Sequence, residues 1–331
     1  MSLQREPNVA LVLGGGGVVG GAYLAGVLLA LEHDLHWDAR EADLIVGTSV
    51  GAMVGTALRM GVSASDLAAL TVDAAVLDAP PAFVAGARAR PTLEPFSMRQ
   101  LLRLPRTPGL RWMTQFARGI GTRGPLGLAA LTSLLPDGVR CLEPYLSFLE
   151  AEEYPPGLWL CAVRRSDGRR VVFGRGDRRA PLAAAVAASC AVPGYFRPVQ
   201  IDGCQYLDGG IVSNTNADTV RRVRPRFTIV VSPMSARRPV DAMHPMRGPS
   251  RWTVRRERSS LQRAGLRTLL IEPGPEVLRH VGHDMMSDAD SSTIVRAAFL
   301  DTGAFLSADP RRRQRLVTAL QGPETVAVAG S

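Results

Sequence analysis

The 331-residue chain contains no lysine. All 39 basic residues are arginine, and against 30 acids they leave a formal net charge of +9. Arginine presents a planar fork that fits phosphate and carboxylate. A bias toward arginine codons would give the same skew, so the substitution alone assigns no partner. Cysteine is scarce too. Cys141, Cys161, Cys190 and Cys204 are widely spaced, with no C-x-x-C and no Cys/His cluster at zinc spacing. Free thiols in a reducing compartment are expected, with no metal and no other cofactor. No uncharged apolar run is long enough to span a bilayer. The N-terminus shows no basic-then-apolar leader with a cleavage site. The expected location is therefore the cytoplasm, with any membrane attachment confined to the surface. A hydrophobic fraction of 46% supports a sizeable core, as one large α/β domain or two smaller ones.

What the chain does have is glycine in two telling places. Gly47-Thr48-Ser49-Val50-Gly51 follows the apolar run Asp43–Val46 and precedes the helical stretch Ala52–Leu58. A strand that turns through G-x-S-x-G into a helix is a nucleophile elbow. Its serine sits at a strained tip, and the new helix brings free N–H groups to the same spot. Upstream, the strand-like Val9–Leu13 runs into eight residues that include Gly14 to Gly17, Gly20 and Gly21, and then into the apolar helix Ala22–Leu31. A strand, a glycine loop and a helix form a cradle for an anion. Gly15, Gly17 and Gly20 also fit G-x-G-x-x-G. A dinucleotide fold wants an acid at the end of the second strand. Here that strand ends in Gly47-Thr48-Ser49, and Asp43 lies at its wrong end. The oxyanion reading is preferred, and a Walker A loop is excluded because no Gly-Lys pair follows.

Downstream, Ser63-Ala64-Ser65-Asp66 reads as a capped helix start, with the helix running toward Leu77. Residues 79–138 are rich in proline and arginine and read as an inserted, partly helical cap. A solvated basic face on short helices would give the same pattern. Leu158–Val163 and Arg170–Phe173 form one predicted hairpin around Ser166-Asp167-Gly168. Val199–Ile201 and Gln205–Leu207 form another, ending in Asp208-Gly209-Gly210. Between them lies the small-residue helix Ala183–Cys190. Phe227–Val231 and Thr268–Ile271 are further strands, with an arginine-rich segment at 235–263 between them. Helices are expected from there to about Leu320.

Gly15-Gly16-Gly17-Val18-Val19-Gly20, Gly47-Thr48-Ser49-Val50-Gly51 and Asp208-Gly209-Gly210, in that order, resemble the motifs of the patatin-like phospholipase family. The runs Ala188–Phe196 and Asn214–Ala217 are similar to the family's segments around its D-G-G/A box. The likeness covers roughly residues 8 to 232. It implies a three-layer α/β/α fold with a mostly parallel central sheet and a Ser–Asp dyad. On that reading residues 1–331 are a single catalytic domain, with the cap at about 79–138 and a helical C-terminal part at about 274–321. The resemblance makes Ser49 the nucleophile and Asp208 its general base. It makes Gly15, Gly16, Gly17 and Val18 the oxyanion loop, with Gly20, Gly47, Gly51, Gly209 and Gly210 in support. Many members carry Arg or Lys where this chain has Val19, so any ionic anchoring there is missing.

The implied activity is acyl hydrolysis of a lipid ester: phospholipid, lysophospholipid or acylglycerol. Three alternatives stay open. A triad would follow the order Ser49, Asp208, His283, with His280 or His244 as substitutes. An inactive protein would use its arginine-rich segments to bind anionic membrane surfaces. An acyltransferase would use the same dyad. Nucleic acid is disfavoured as a partner, because no recognised binding motif accompanies the charge. The oligomeric state is not predicted.

Overall fold

The computed structural model describes residues 8–89, 137–150, 152–176, 178, 180–243, 247–282 and 284–321. Most of the predicted cap, residues 90–136, falls outside them, as do His244 and His283.

The strands are β1 (Val9–Leu13), β2 (Leu44–Thr48), β3 (Leu158–Arg164), β4 (Arg170–Phe173), β5 (Val199–Ile201), β6 (Cys204–Asp208), β7 (Phe227–Val231) and β8 (Arg267–Ile271). The helices are α1 (Gly17–Leu35), α2 (Val50–Arg59), α3 (Ala64–Thr71), α4 (Pro81–Arg88), α5 (Leu182–Ser189), α6 (Arg247–Arg263), α7 (Pro275–His280), α8 (Ser291–Ser307) and α9 (Pro310–Gln321). The strands join one sheet along the path β5-β6-β3-β2-β1-β7-β8, with β4 added to β3. Strands β1, β2, β3, β7 and β8 run parallel, whereas β4, β5 and β6 are antiparallel to their neighbours.

The expected three-layer α/β/α fold is present. Parallel strands covered on both faces read as continuous apolar runs, and the side chains of β1 divide accordingly. Val9, Leu11 and Leu13 enter a large core with α1, α2, α5 and α8. Ala10 and Val12 enter a smaller one, with Ala217, Val220 and the Val254 and Leu261 side chains of α6. The predicted cap at Ser63 is made: its hydroxyl oxygen accepts the Asp66 N–H at 3.1 Å. The helix it starts is shorter than expected and ends at Thr71.

Glu143–Leu149 and Ala217–Arg222 form 3₁₀ segments. The second arginine-rich segment, 235–263, is partly built into the protein interior. Arg247 is buried and donates to the carbonyls of Pro233 and Ser235 at 3.0 and 2.8 Å. α1 is long and apolar enough to cross a membrane, but most of it is buried in the larger core.

Candidate active site

The central event in the sheet is a collision of two strand ends on β3. β2 pairs with β3 from Leu158 to Cys161, where Thr48 faces Cys161. β4 pairs with Leu160 to Val163, so it occupies the other edge of β3. β6 pairs with Ala162 to Arg164, and Asp208 faces Ala162. A strand residue has two edges, so β6 must take the edge that β2 vacates. β2 runs toward Ala162 and β6 runs toward it from the opposite direction. Neither chain can continue. β2 turns away at Ser49 into α2, and β6 turns away at Gly209 into a 3₁₀ turn, Gly209–Ile211. Ser49 and Asp208 are therefore neighbours although they lie far apart in sequence.

Ser49 holds φ 53° and ψ −126°. Such left-handed geometry at a non-glycine residue stores about 1–3 kcal/mol of strain and must be held from outside. Part of the hold is a buried relay. The Ser49 N–H donates to Ser189 Oγ at 3.1 Å, and the Ser189 hydroxyl donates to the Cys161 carbonyl at 2.6 Å. The elbow glycines permit the turn. A Cβ on Gly47 would lie 2.5 Å from Ala52 Cα, and one on Gly51 only 2.1 Å from the Leu13 carbonyl oxygen.

Asp208 is only 4% exposed. Its Oδ1 accepts the Gly210 N–H at 2.6 Å. Burial pushes its carboxyl up to about 6, against the opposing pull of the Gly210 amide and the Ser49 hydroxyl. Oδ2 is buried and completes no hydrogen bond of normal geometry with any described residue. The Ser49 hydroxyl favours the charged form of that carboxyl, and the two side chains close no hydrogen bond of normal geometry. Gly209 packs tightly, since a Cβ there would come within 2.3 Å of the Cys161 carbonyl oxygen.

The chain after Asp208 is clamped to the elbow. Asn216, at φ 51°, donates from Nδ2 to Thr48 Oγ1 at 3.0 Å and to the Ser213 carbonyl at 2.6 Å. Its Oδ1 accepts from Arg170, which also forms a two-pronged pair with Asp218 at 2.6 and 2.7 Å. Glu257 of α6 accepts the Thr215 hydroxyl at 2.5 Å and the Ala217 N–H at 3.1 Å. Burial, with Asp218 nearby, raises the Glu257 carboxyl to about 7.

The glycine loop lies against the elbow, for a Cβ on Gly15 would sit 3.1 Å from Ser49 Cβ. Its amides differ in availability. Gly15 N–H, one of the four predicted donors, is already spent on the Asn214 carbonyl at 2.8 Å. Val19 N–H goes to the Met285 carbonyl and Gly20 N–H to the Gly16 carbonyl. The N–H groups of Gly16, Gly17 and Val18 have no acceptor among the described residues, and they lie at the positive end of α1. The Val19 side chain is buried in the larger core, so a charge there would have no solvent.

Gly20 has room that the motif does not suggest. A Cβ there would meet its nearest atoms at 3.4 and 3.5 Å, ordinary van der Waals contact. Gly20→Ala is expected to stabilise the fold by up to about 1 kcal/mol through helix propensity. Gly51→Ala is expected to cost about 3 kcal/mol by overpacking. Urea denaturation of both variants checks the contrast, and an equal effect at the two sites would contradict the geometry.

Of the three histidines considered for a triad, only His280 is described. It is exposed at the end of α7 and makes no hydrogen bond to Ser49 or Asp208. Four contributors to the site carried no plain signal in the sequence: the Ser189 hydroxyl, the Asn214 carbonyl, the Asn216 side chain and Glu257. A lone hydroxyl in the alanine-rich α5 was the best available hint, because a buried hydroxyl needs a partner.

A strained serine between a strand and a helix, facing a buried carboxylate, defines an α/β protein of the serine-elbow type. The Patatin-like phospholipase family model matches residues 11–221, and the chain belongs to that family. Uncharacterized NTE family proteins of Mycobacterium bovis and Mycobacterium tuberculosis are 31% identical over 231 residues, covering 69% of this chain and 50% of theirs. The chain thus spans about half the length of the curated relatives it matches. The crystal structure of VipD from Legionella pneumophila aligns with a TM-score of 0.43 at 14% identity, covering 92% of this chain and 67% of that one. Membership of the family supports lipid acyl hydrolysis as the general class of activity.

Proposed function

We propose that the protein cleaves lipid esters (phospholipid, lysophospholipid or acylglycerol) through an acyl-enzyme on Ser49, with Asp208 as the general base. The observation that carries this reading is the end-to-end meeting of β2 and β6, which leaves a strained hydroxyl against a buried carboxylate. As Ser49 Oγ attacks the ester carbonyl carbon, its proton passes to Asp208. Hydrogen bonds of this kind are commonly loose before substrate arrives, which suits the incomplete Ser49–Asp208 contact. The developing oxyanion takes hydrogen bonds from the N–H groups of Gly16, Gly17 and Val18. Gly15 supports the loop by its bond to Asn214 and donates nothing to the reaction. Collapse of the tetrahedral centre breaks the C–O bond, and the leaving alkoxide takes the proton from Asp208. Water then attacks the acyl-enzyme with Asp208 again the base, and Ser49 recovers its proton. We read residues 1–331 as one catalytic domain, with α7, α8 and α9 as its helical C-terminal part and the 79–138 segment as its cap. Peripheral contact with anionic membranes through the arginine-rich segments belongs to the same reading.

A fluorophosphonate probe, followed by mass spectrometry of the adduct, tests the assignment. The expected adduct is on Ser49, and His280→Ala should label as well as the wild type. No adduct in folded protein, or an adduct on another residue, would remove Ser49 as nucleophile.

A further inference from the structure

Away from the elbow, the outer edge of the sheet carries a concentration of positive charge that takes no part in the chemistry at Ser49. β8 is the outermost strand, and it starts beside β7 with Arg267 opposite Phe227. Three strand spacings separate β8 from β2, about 14 Å. Along β8, residues of α6, α8 and α9 enclose a cleft of about 550 Å³. A second cavity of about 410 Å³ continues from it and shares Phe227, Arg267, Arg315 and Ala319 with it.

Among the described residues, seven arginines line the two cavities, against Glu272 as the one lining acid. Arg255 pairs with Glu272 at 2.6 Å, and Arg237 pairs with Asp301 at 2.6 Å. The side chains of the other five, Arg226, Arg258, Arg267, Arg311 and Arg315, make no hydrogen bond or ion pair with a described residue. Like charges gathered this closely repel and destabilise the compact state. Two of the guanidinium groups are also incompletely satisfied inside the protein. Nε of Arg255 and Nε of Arg258 are buried without a partner among the described residues. A buried donor needs an acceptor.

Arg255 and Arg258 lie three residues apart on α6, and Arg311 and Arg315 four apart on α9, so each pair shares a helix face. Phe305 and Leu316 add apolar wall, which lowers the local dielectric and strengthens pairing with an anion. The volume is that of a small-molecule site. Arginine forks recognise phosphate oxygens in pairs, and a carboxylate offers too few oxygens for five unmatched forks.

We propose that this cleft is a second ligand site, which binds a molecule carrying two or more phosphate groups. The phosphates belong either to a soluble polyphosphate or to the headgroup of a phosphorylated lipid. The site is separate from Ser49 and stands whether or not Ser49 is a nucleophile.

The test uses the full chain, with tripolyphosphate and with phosphatidylcholine vesicles with or without a phosphoinositide as probes. At constant ionic strength, tripolyphosphate should bind saturably by calorimetry and raise the melting temperature. Arg258→Gln/Arg315→Gln should weaken that binding about tenfold or more, the usual worth of charge-assisted hydrogen bonds. Arg221→Gln/Arg222→Gln removes two exposed arginines outside the cleft and should bind like the wild type. Vesicle binding that needs the phosphoinositide and is competed by tripolyphosphate assigns the headgroup source. Tripolyphosphate binding without vesicle binding assigns the soluble source. Equal weakening in both double variants would mean diffuse charge and overturn the site. So would absence of saturable binding of either probe to the wild type.

Discussion

Ser49→Ala is expected to lower the rate of ester hydrolysis by about 10⁴-fold or more, the scale seen when a serine nucleophile is removed. Fold stability should change little, because alanine keeps the Cα geometry and the N–H bond to Ser189. The backbone strain remains, since φ 53° is as unfavourable for alanine as for serine. Ser49→Gly should be equally inactive, yet more stable than Ser49→Ala by roughly 1 kcal/mol, because glycine adopts positive φ freely. The two variants thus separate chemistry from strain. Turnover of a lysophospholipid and urea denaturation measure the two effects. A Ser49→Ala enzyme that retains more than about a tenth of wild-type turnover would place the nucleophile elsewhere, and matched stabilities would show that the elbow is not strained.

The elbow was legible in the sequence because its information is local. Gly47 and Gly51 flank Ser49 within five residues, and each glycine answers to a close approach that any side chain would block. The strands were legible for the same reason, as short apolar runs with glycines, polar turns or helices between them. The meeting of Ser49 with Asp208 was not legible from residue patterns. It depends on β6 taking the edge of β3 that β2 leaves, and on β4 filling the other edge. Nothing in Cys204–Asp208 encodes that neighbour; the resemblance to a family supplied it. Gly15 shows the same limit. Its amide is consumed by the Asn214 carbonyl, a contact set by tertiary packing and not by the glycine motif. Gly20 fails in the other direction, for a motif glycine can stand where space is ample. The arginines of α6 dominate its sequence pattern and leave no sign of what its acid does. Its one acid, Glu257, is buried and clamps the loop beyond Asp208.

Asp208→Asn is expected to make the protein more stable and nearly inactive at once. The carboxyl moves from its ordinary 3.8 to about 6 because burial disfavours the charged form. An acid whose pKa is raised by folding favours the folded state while it is protonated. That contribution is complete below the unfolded value of about 3.9 and is lost as the pH rises through about 6. By about pH 8 the buried carboxylate costs the fold up to about 3 kcal/mol. Asparagine removes the charge. Its Oδ1 can keep the bond from Gly210, and its Nδ2 can donate to the Ser49 hydroxyl oxygen. The variant should therefore exceed the wild type by about 2 kcal/mol near pH 8, and the gap should close toward pH 4. Catalysis should follow the opposite course. A general base works only when ionised, so wild-type kcat/KM should rise with pH, with its midpoint near the Asp208 value of about 6. The variant should show a low, flat profile. Urea titrations at several pH values and a pH–rate profile give both readings on the same preparations. A destabilised Asp208→Asn near pH 8 would contradict the burial cost, and a wild-type rate with no inflection between about pH 5 and 7 would deny Asp208 its role as base.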